Sequence, residues 1–422
     1  MSVRQQIREQ IRRRIEDEIR QRGAMPFSRY MEICLYDPGH GYYASHAEQF
    51  GKAGDFYTSS DVHAVFGRLL ARQFQEVWQV LDRPAQIEIL ELGPGRGLFA
   101  RDVLDWSKKK FPDFFDSLTY TLQESSPALR AKLAGNLAQH LEARKARIAE
   151  DRSEEDRPEE DRPEEDRPEE DRPEEDRPEE DRCNEDRCGQ VQRSLAPDAP
   201  VIIFANEFFD ALPVEILSPH GKLHLALEAG RLREVWLPPL AAELDFLDHY
   251  GVHPEAGERI EVPMVAQSWI RPIAQSIQRG ILLLIDYGYT RAEQLAGRHR
   301  GTLMAYRHHS VSPDPYQAPG EQDLTAHVNF TALAAACDES AMEVEKLLTQ
   351  SQFLMGIGEK NQFADAFEDC RIPQERAKVA LQLKHLITPV GMGENFQVMI
   401  AARRLDSQVI AAISGLSFGR GY

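Results

Sequence analysis

Three short stretches carry residue types whose spacing could do chemistry. In Glu91-x-Gly93-x-Gly95-x-Gly97 the glycines follow a strand-like run, Gln86–Leu92. Glycines at a strand-to-helix junction let a ligand approach the backbone without meeting a Cβ. Glu124 ends the next strand-like run, Leu118–Leu122, where a carboxylate can accept hydrogen bonds from two ribose hydroxyls. Asn206-Glu-Phe-Phe-Asp210 follows a third run, Pro200–Ala205. An amide carbonyl there can accept from a target N–H, and carboxylates can grip a guanidinium bidentately.

The glycine loop admits two cofactor classes and one inert reading. Dinucleotide folds use Gly-x-Gly-x-x-Gly, with the pyrophosphate on the helix N-terminus. Here the third glycine comes one residue early and position 98 is leucine. The spacing matches instead the loop that cradles S-adenosylmethionine, which has no phosphate to anchor. A plain tight turn is the third reading, weakened by Glu124 at the end of the following strand. At the other stretch, nitrogen methyltransferases often carry Asn-Pro-Pro-aromatic, which orients the target lone pair by positioning rather than by strong base. Glu207 and Phe208 stand where the prolines would be, so the match is partial. Glu207 and Asp210 could equally be helix-start acids near a positive dipole end. His308, His309 and His327 lack a carboxylate partner at recognisable metal spacing and read as hydrogen-bonding loop histidines. Cys183 and Cys188 have no second pair, and no metal site is expected.

The elements that must position these residues alternate. The Gln86–Leu92 strand and the glycine loop lead into a helix running through Asp105. A helix starts near Ser126-Pro127, and short strands are expected at Ala146–Ala149, Ile281–Asp286 and Gln397–Arg403. Alternation of this kind implies an α/β fold with a mostly parallel sheet covered on both faces. Strands at Leu223–Leu227 and Arg231–Leu237 read as a hairpin. Ala64–Leu81 reads as a helix, and Met25–Ser60 as turns and short elements. Val3, Ile7, Ile11, Ile15 and Ile19 form a stripe on an N-terminal helix, a docking face against the body. Between the Ala146–Ala149 and Pro200–Ala205 runs, Glu-Glu-Asp-Arg-Pro repeats with period five, placing prolines at 158, 163, 168, 173 and 178. Such a segment removes a helix donor in each turn and has nothing apolar to bury, so a disordered loop is expected. The resulting division is 1–82 (N-terminal helix and cofactor-covering segment), 83–150 (first half of the core), 151–190 (acidic repeat) and 200–422 (second half of the core with inserted substrate-binding elements).

Composition sets the broad class. Of the formal charge of −19, −13 lies between Asp151 and Cys188, where 21 acids meet 8 arginines, and the rest carries −6. That balance does not favour nucleic acid as a partner. No apolar run approaches a membrane span, the five scattered cysteines fit a reducing compartment, and the chain reads as cytoplasmic.

Several stretches together resemble the MidA-type methyltransferases that use S-adenosyl-L-methionine. They are Tyr36-Asp-Pro38 with Gly41-Tyr-Tyr43, Gly54-Asp-Phe-Tyr-Thr-Ser59 with Phe66-Gly67, and Glu91–Gly97. Asn206-Glu-Phe-Phe-Asp-Ala-Leu-Pro213, Asp286-Tyr-Gly288 and Gly320-Glu-Gln-Asp-Leu-Thr-Ala-His327 complete the set. The resemblance implies a class I methyltransferase fold with family-specific additions. Mitochondrial members of the family are assembly factors for respiratory complex I and methylate an arginine of a core subunit, so a protein substrate is implied here. Carried over by position, Glu91, Gly93, Gly95 and Gly97 would line the cofactor, with Glu124 on its ribose and Gly54, Asp55 and Phe56 closing over it. Asn206, Glu207, Phe209 and Asp210 would face the acceptor. Two alternatives stay open: a non-catalytic assembly factor that keeps the pocket for stability, and an NAD-dependent oxidoreductase.

Overall fold

The computed structural model describes residues 3–45, 64–149, 195, 199–307 and 310–418. Its central sheet is built from the apolar runs: Ile87–Leu92 (β1), Leu118–Gln123 (β2), Ala146–Ile148 (β3), Val201–Asn206 (β4), Gly280–Tyr289 (β5) and Phe396–Arg403 (β6). Every residue of β1 is buried, as expected for strands covered on both faces. The spatial order is β6–β5–β4–β1–β2–β3. All neighbours are parallel except β6, which runs antiparallel to β5 from Gly280↔Arg403 to Tyr287↔Phe396. Strand order therefore reverses between β1 and β4. In such sheets ligands bind at the carboxyl ends of the strands flanking that switch, and the glycine loop and the Asn206–Asp210 loop both leave the sheet there.

Each face of the sheet has its own apolar layer. On one side, the helices Ala64–Val80 and Leu98–Lys110 bring Phe66, Phe74 and Phe99 onto Phe204 of β4; the Phe99 and Phe204 rings stack at 4.7 Å. On the other, Ile270, Ile273 and Ala274 of Met264–Ser276 and Leu333 and Ala336 of Phe330–Glu339 cover Ile203, Leu282 and Leu284. Ser126 caps its helix as its position before Pro127 predicts, accepting from the Leu129 N–H.

The additions form a separate layer. The expected hairpin is present as Gly221–Glu228 and Arg231–Leu237, but in a second sheet with Met25–Pro26, Glu215–Ser218 and Ile260–Val262. The N-terminal helix, Val3–Arg22, docks there: Ile11, Ile15 and Ile19 are buried in one cluster with Leu223 and Leu225. A third, small sheet joins Met304–Arg307, Ser310–Ser312 and Asp323–Thr325.

One expectation is corrected. Within the stretch read as turns and short elements, Phe27–Tyr36 is a full ten-residue helix. Phe27, Tyr30, Met31, Cys34 and Leu35 follow an i, i+3, i+4, i+7, i+8 pattern and are all buried. Their aromatic character and the Pro26 and Asp37-Pro38 brackets mask that period, and tertiary burial overrides weak propensity. Gly54, Asp55, Phe56, the acidic repeat, Cys183, Cys188, His308 and His309 lie outside the described residues. Among the described residues no helix is long and apolar enough to cross a membrane.

Candidate active site

The turn after β1 needs its glycines for separate reasons. Gly93, Gly95 and Gly97 have φ of 62°, 55° and 71°, the left-handed region that costs other residues strain. A Cβ on Gly93 would lie 2.8 Å from the Phe208 ring, so this glycine lets the Asn206–Asp210 loop close onto the turn. A Cβ on Gly97 would press within 3.1 Å of Leu133 and Leu137. Gly95 differs: among the described residues nothing lies within 4 Å of where its Cβ would be. Its N–H donates to Glu124 Oε2 at 3.1 Å, while Glu124 Oε1 accepts from the Ser126 N–H at 2.9 Å.

Two carboxyls, Glu91 buried and Glu124 half-buried, flank this bare backbone. Burial pushes Glu124 up to about 7 against the pull of its N–H donors. Glu91 accepts from the Tyr120 hydroxyl at 2.8 Å, and burial, with the charge of Glu124 adding to it, pushes Glu91 up to about 8. Such a group holds its proton in the folded chain and releases it on unfolding, so stability is lost as pH rises from the ordinary value of 4.5 towards 8. Glu91→Gln keeps an acceptor for Tyr120 and removes the titration. It is expected to melt with the parent at about pH 5 and several degrees above it at about pH 8.5. Parallel melting curves across that range would refute the assignment.

The second loop hangs from β5. Asp286, at the end of the apolar run Ile281–Ile285, accepts on Oδ2 from the N–H groups of Phe208 (3.1 Å), Phe209 (2.9 Å) and Asp210 (3.3 Å). Its Oδ1 accepts from Tyr287 at 2.8 Å. The loop is thereby folded around one carboxylate, with Glu207 in the left-handed region at φ 52°. Asn206 Nδ2 donates to Glu207 Oε1 at 3.1 Å, and Asn206 Oδ1 is buried with no hydrogen-bond donor among the described residues. Such an orphaned acceptor is costly unless a ligand supplies the donor.

Around that oxygen lies an acidic chamber with aromatic walls. Burial and the charges of Asp286, Glu207 and Asp323 push Asp210 well above the usual carboxylate range. Tyr43, Tyr287 and Tyr306 are raised first by burial and then by these same acids. The Tyr43 hydroxyl donates to Asp323 Oδ1 at 3.2 Å. Acids crowded like this cannot all ionise in a dry site without a cation among them.

The structure thus brings together Glu91, Gly93, Gly95, Gly97 and Glu124 on one side of the switch point and Asn206, Glu207 and Asp210 on the other. Phe209 packs into the apolar cluster with Leu92, Leu212 and Trp269, and it is the Phe208 ring that lies against the turn. Asp286, Asp323, Tyr43 and Tyr287 belong to the same region. Of these, Asp286 carries a signal of its own, a lone acid closing an apolar strand at the carboxyl edge of a parallel sheet, while Tyr43, Tyr287 and Asp323 stand only within the stretches that carry the family resemblance. His327 lies beside the chamber, stacked on Tyr287, with its Nδ1 3.1 Å from His299 Nδ1, and burial pushes it down to about 4.

The donor set fits a nucleoside without a pyrophosphate. The Gly95 N–H that a phosphate would use already serves the Glu124 side chain. Gln123 Oε1 is a further buried acceptor with no donor among the described residues. Acceptors of this kind suit the hydroxyl and ammonium donors of S-adenosylmethionine.

Comparison with known proteins decides between the cofactors. Residues 69–348 match the model of the Methyltransf_28 family, S-adenosyl-L-methionine-dependent methyltransferases. The chain belongs to this family. The mitochondrial protein arginine methyltransferase NDUFAF7 of Danio rerio is 26% identical over 404 residues, covering 93% of this chain and 86% of the relative. Its Homo sapiens counterpart is 25% identical over 400 residues, covering 92% and 83%. A Burkholderia thailandensis protein solved bound to S-adenosyl-homocysteine superposes with a TM-score of 0.74 at 26% identity, over 98% of this chain and 96% of that one. S-adenosyl-L-methionine is the family's cofactor, the fold is that of class I methyltransferases, and the NAD-dependent alternative falls.

Proposed function

We propose that the chain methylates a side-chain nitrogen of arginine in a protein substrate. The observation that carries this reading is the buried, donorless Asn206 Oδ1 beside the crowded acids Glu207, Asp210 and Asp323. An arginine side chain brings both things the chamber lacks: a permanent positive charge and five N–H donors in a planar fork. That these relatives carry the name of protein arginine methyltransferases supports it.

In this reading Gly93, Gly95, Gly97, Glu91 and Glu124 hold the cofactor, joined by Gly54, Asp55 and Phe56 from outside the described residues. The cofactor supplies a methyl group on a positively charged sulfur. Asn206 Oδ1 accepts one N–H of the guanidinium, and Glu207 and Asp210 accept others, which fixes the plane of the group. Phe208, wedged against Gly93, sets the separation between the two sides. Transfer to a guanidinium nitrogen releases one proton, which a free guanidinium in water would hold tightly. Asp210, buried among other acids, is a stronger base than a solvated carboxylate and takes that proton as the new N–C bond forms.

Asp210→Asn is isosteric and leaves the cofactor side intact. It is expected to bind S-adenosylhomocysteine within about threefold of the parent and to transfer methyl at least about 100-fold more slowly. Transfer at the parental rate would remove Asp210 from the reaction.

A further inference from the structure

One short element touches both sides of the site. In the helix Tyr42–Ser45, the carbonyl of Tyr43 accepts from Ser126 Oγ at 2.9 Å. Ser126 is fastened to the cofactor-side turn, its N–H donating to Glu124 Oε1 at 2.9 Å. At the other end of the same residue, the Tyr43 hydroxyl donates to Asp323 Oδ1 at 3.2 Å. Its ring lies 5.4 Å from those of Tyr36 and Tyr42, and the Tyr36 hydroxyl donates to the carbonyl of Ala211, next to Asp210. Asp323 is itself tied to the acceptor loop, since Ala326 of the same segment donates its N–H to the carbonyl of Asp210 at 2.9 Å. A line of contacts, Glu124–Ser126–Tyr43–Asp323, therefore crosses between the two sides.

We propose that Tyr43 is a positioning residue for methyl transfer: its carbonyl is anchored to the cofactor turn through Ser126, and its hydroxyl holds Asp323 at the wall of the acceptor chamber. The proposal rests on the acceptor reading above. Transfer between two bound groups depends on their separation, and a displacement of about 1 Å can cost on the order of 100-fold in rate. A single residue bonded to both walls fixes that separation. Burial keeps the Tyr43 hydroxyl protonated well beyond the usual phenol range, so it donates at any working pH.

The test uses the full chain, tritiated S-adenosylmethionine and three sets of otherwise identical peptides centred on arginine, lysine or glutamine. The set that takes label settles the acceptor. Label on lysine or glutamine alone overturns the arginine reading, and Tyr43 is then measured on that set. On the accepting set, Tyr43→Phe is expected to lower kcat about tenfold, with KM and the Kd for S-adenosylhomocysteine within about twofold. Because the hydroxyl acts through Asp323, the same substitution is expected to do nothing further in an Asp323→Ala background, where no side-chain oxygen is left for it to hold. An unchanged kcat, or an effect undiminished without Asp323, overturns the proposal. So does a tenfold loss of S-adenosylhomocysteine affinity in Tyr43→Phe, which would make Tyr43 a cofactor residue.

Discussion

Gly95→Val is expected to weaken S-adenosylhomocysteine binding by at least about 100-fold while lowering Tm by only a few degrees. Both halves follow from the turn. Gly95 sits at φ 55°, where a β-branched side chain costs about 1–2 kcal/mol in backbone strain. Among the described residues no atom lies within 4 Å of its would-be Cβ, so none of them is displaced. The isopropyl group instead fills the bare backbone next to Glu124, which the account gives to the cofactor. Gly257→Val is the matched control, with φ 85° and equally open surroundings away from the switch point. It should show the same Tm loss and normal binding. Normal binding in Gly95→Val would move the cofactor off this turn. Gly93→Val is a different experiment, because its side chain would strike Phe208 and unseat the acceptor loop as well.

Asp286→Asn is expected to cost about 2–4 kcal/mol in stability and to abolish transfer with it. Four N–H groups converge on the two oxygens of Asp286. An asparagine has one carbonyl oxygen, so in either orientation its amide N–H groups face N–H donors that they cannot satisfy. With Nδ2 towards the loop, three main-chain donors are lost together, directly after Glu207 at φ 52°. Denaturant titration measures the loss. A variant as stable as the parent would show that the loop folds without this carboxylate. The contrast with Asp210→Asn is diagnostic, since that change should leave stability nearly intact and remove only transfer.

The central sheet was legible because its strands are short, nearly unbroken apolar runs, and β1, β2, β4, β5 and β6 fall within a few residues of those runs. The glycine turn was legible for a related reason: left-handed backbone at a strand end leaves few residue choices other than glycine. What could not be read was anything created by topology. Tyr43 and Asp323 were visible only as members of the stretches Gly41–Tyr43 and Gly320–His327, and no spacing along the chain signals that they meet each other or that Ala326, in the second stretch, bonds Asp210. The two phenylalanines show a finer limit. Along a strand, alternate residues face alternate sides, but Glu207 leaves the strand in a left-handed conformation and resets that alternation. Sequence periodicity therefore could not tell which of Phe208 and Phe209 enters the core.

The most direct measurement is the chemical identity of the methylated product. The full chain is incubated with methyl-tritiated S-adenosylmethionine and the accepting peptide, the product is hydrolysed in acid, and the labelled amino acid is separated. Label is expected in methylated arginine, none without the protein, and almost none with Asp210→Asn. Label in methyl-lysine, or label lost as volatile methanol from a carboxyl ester in mild base, would contradict it.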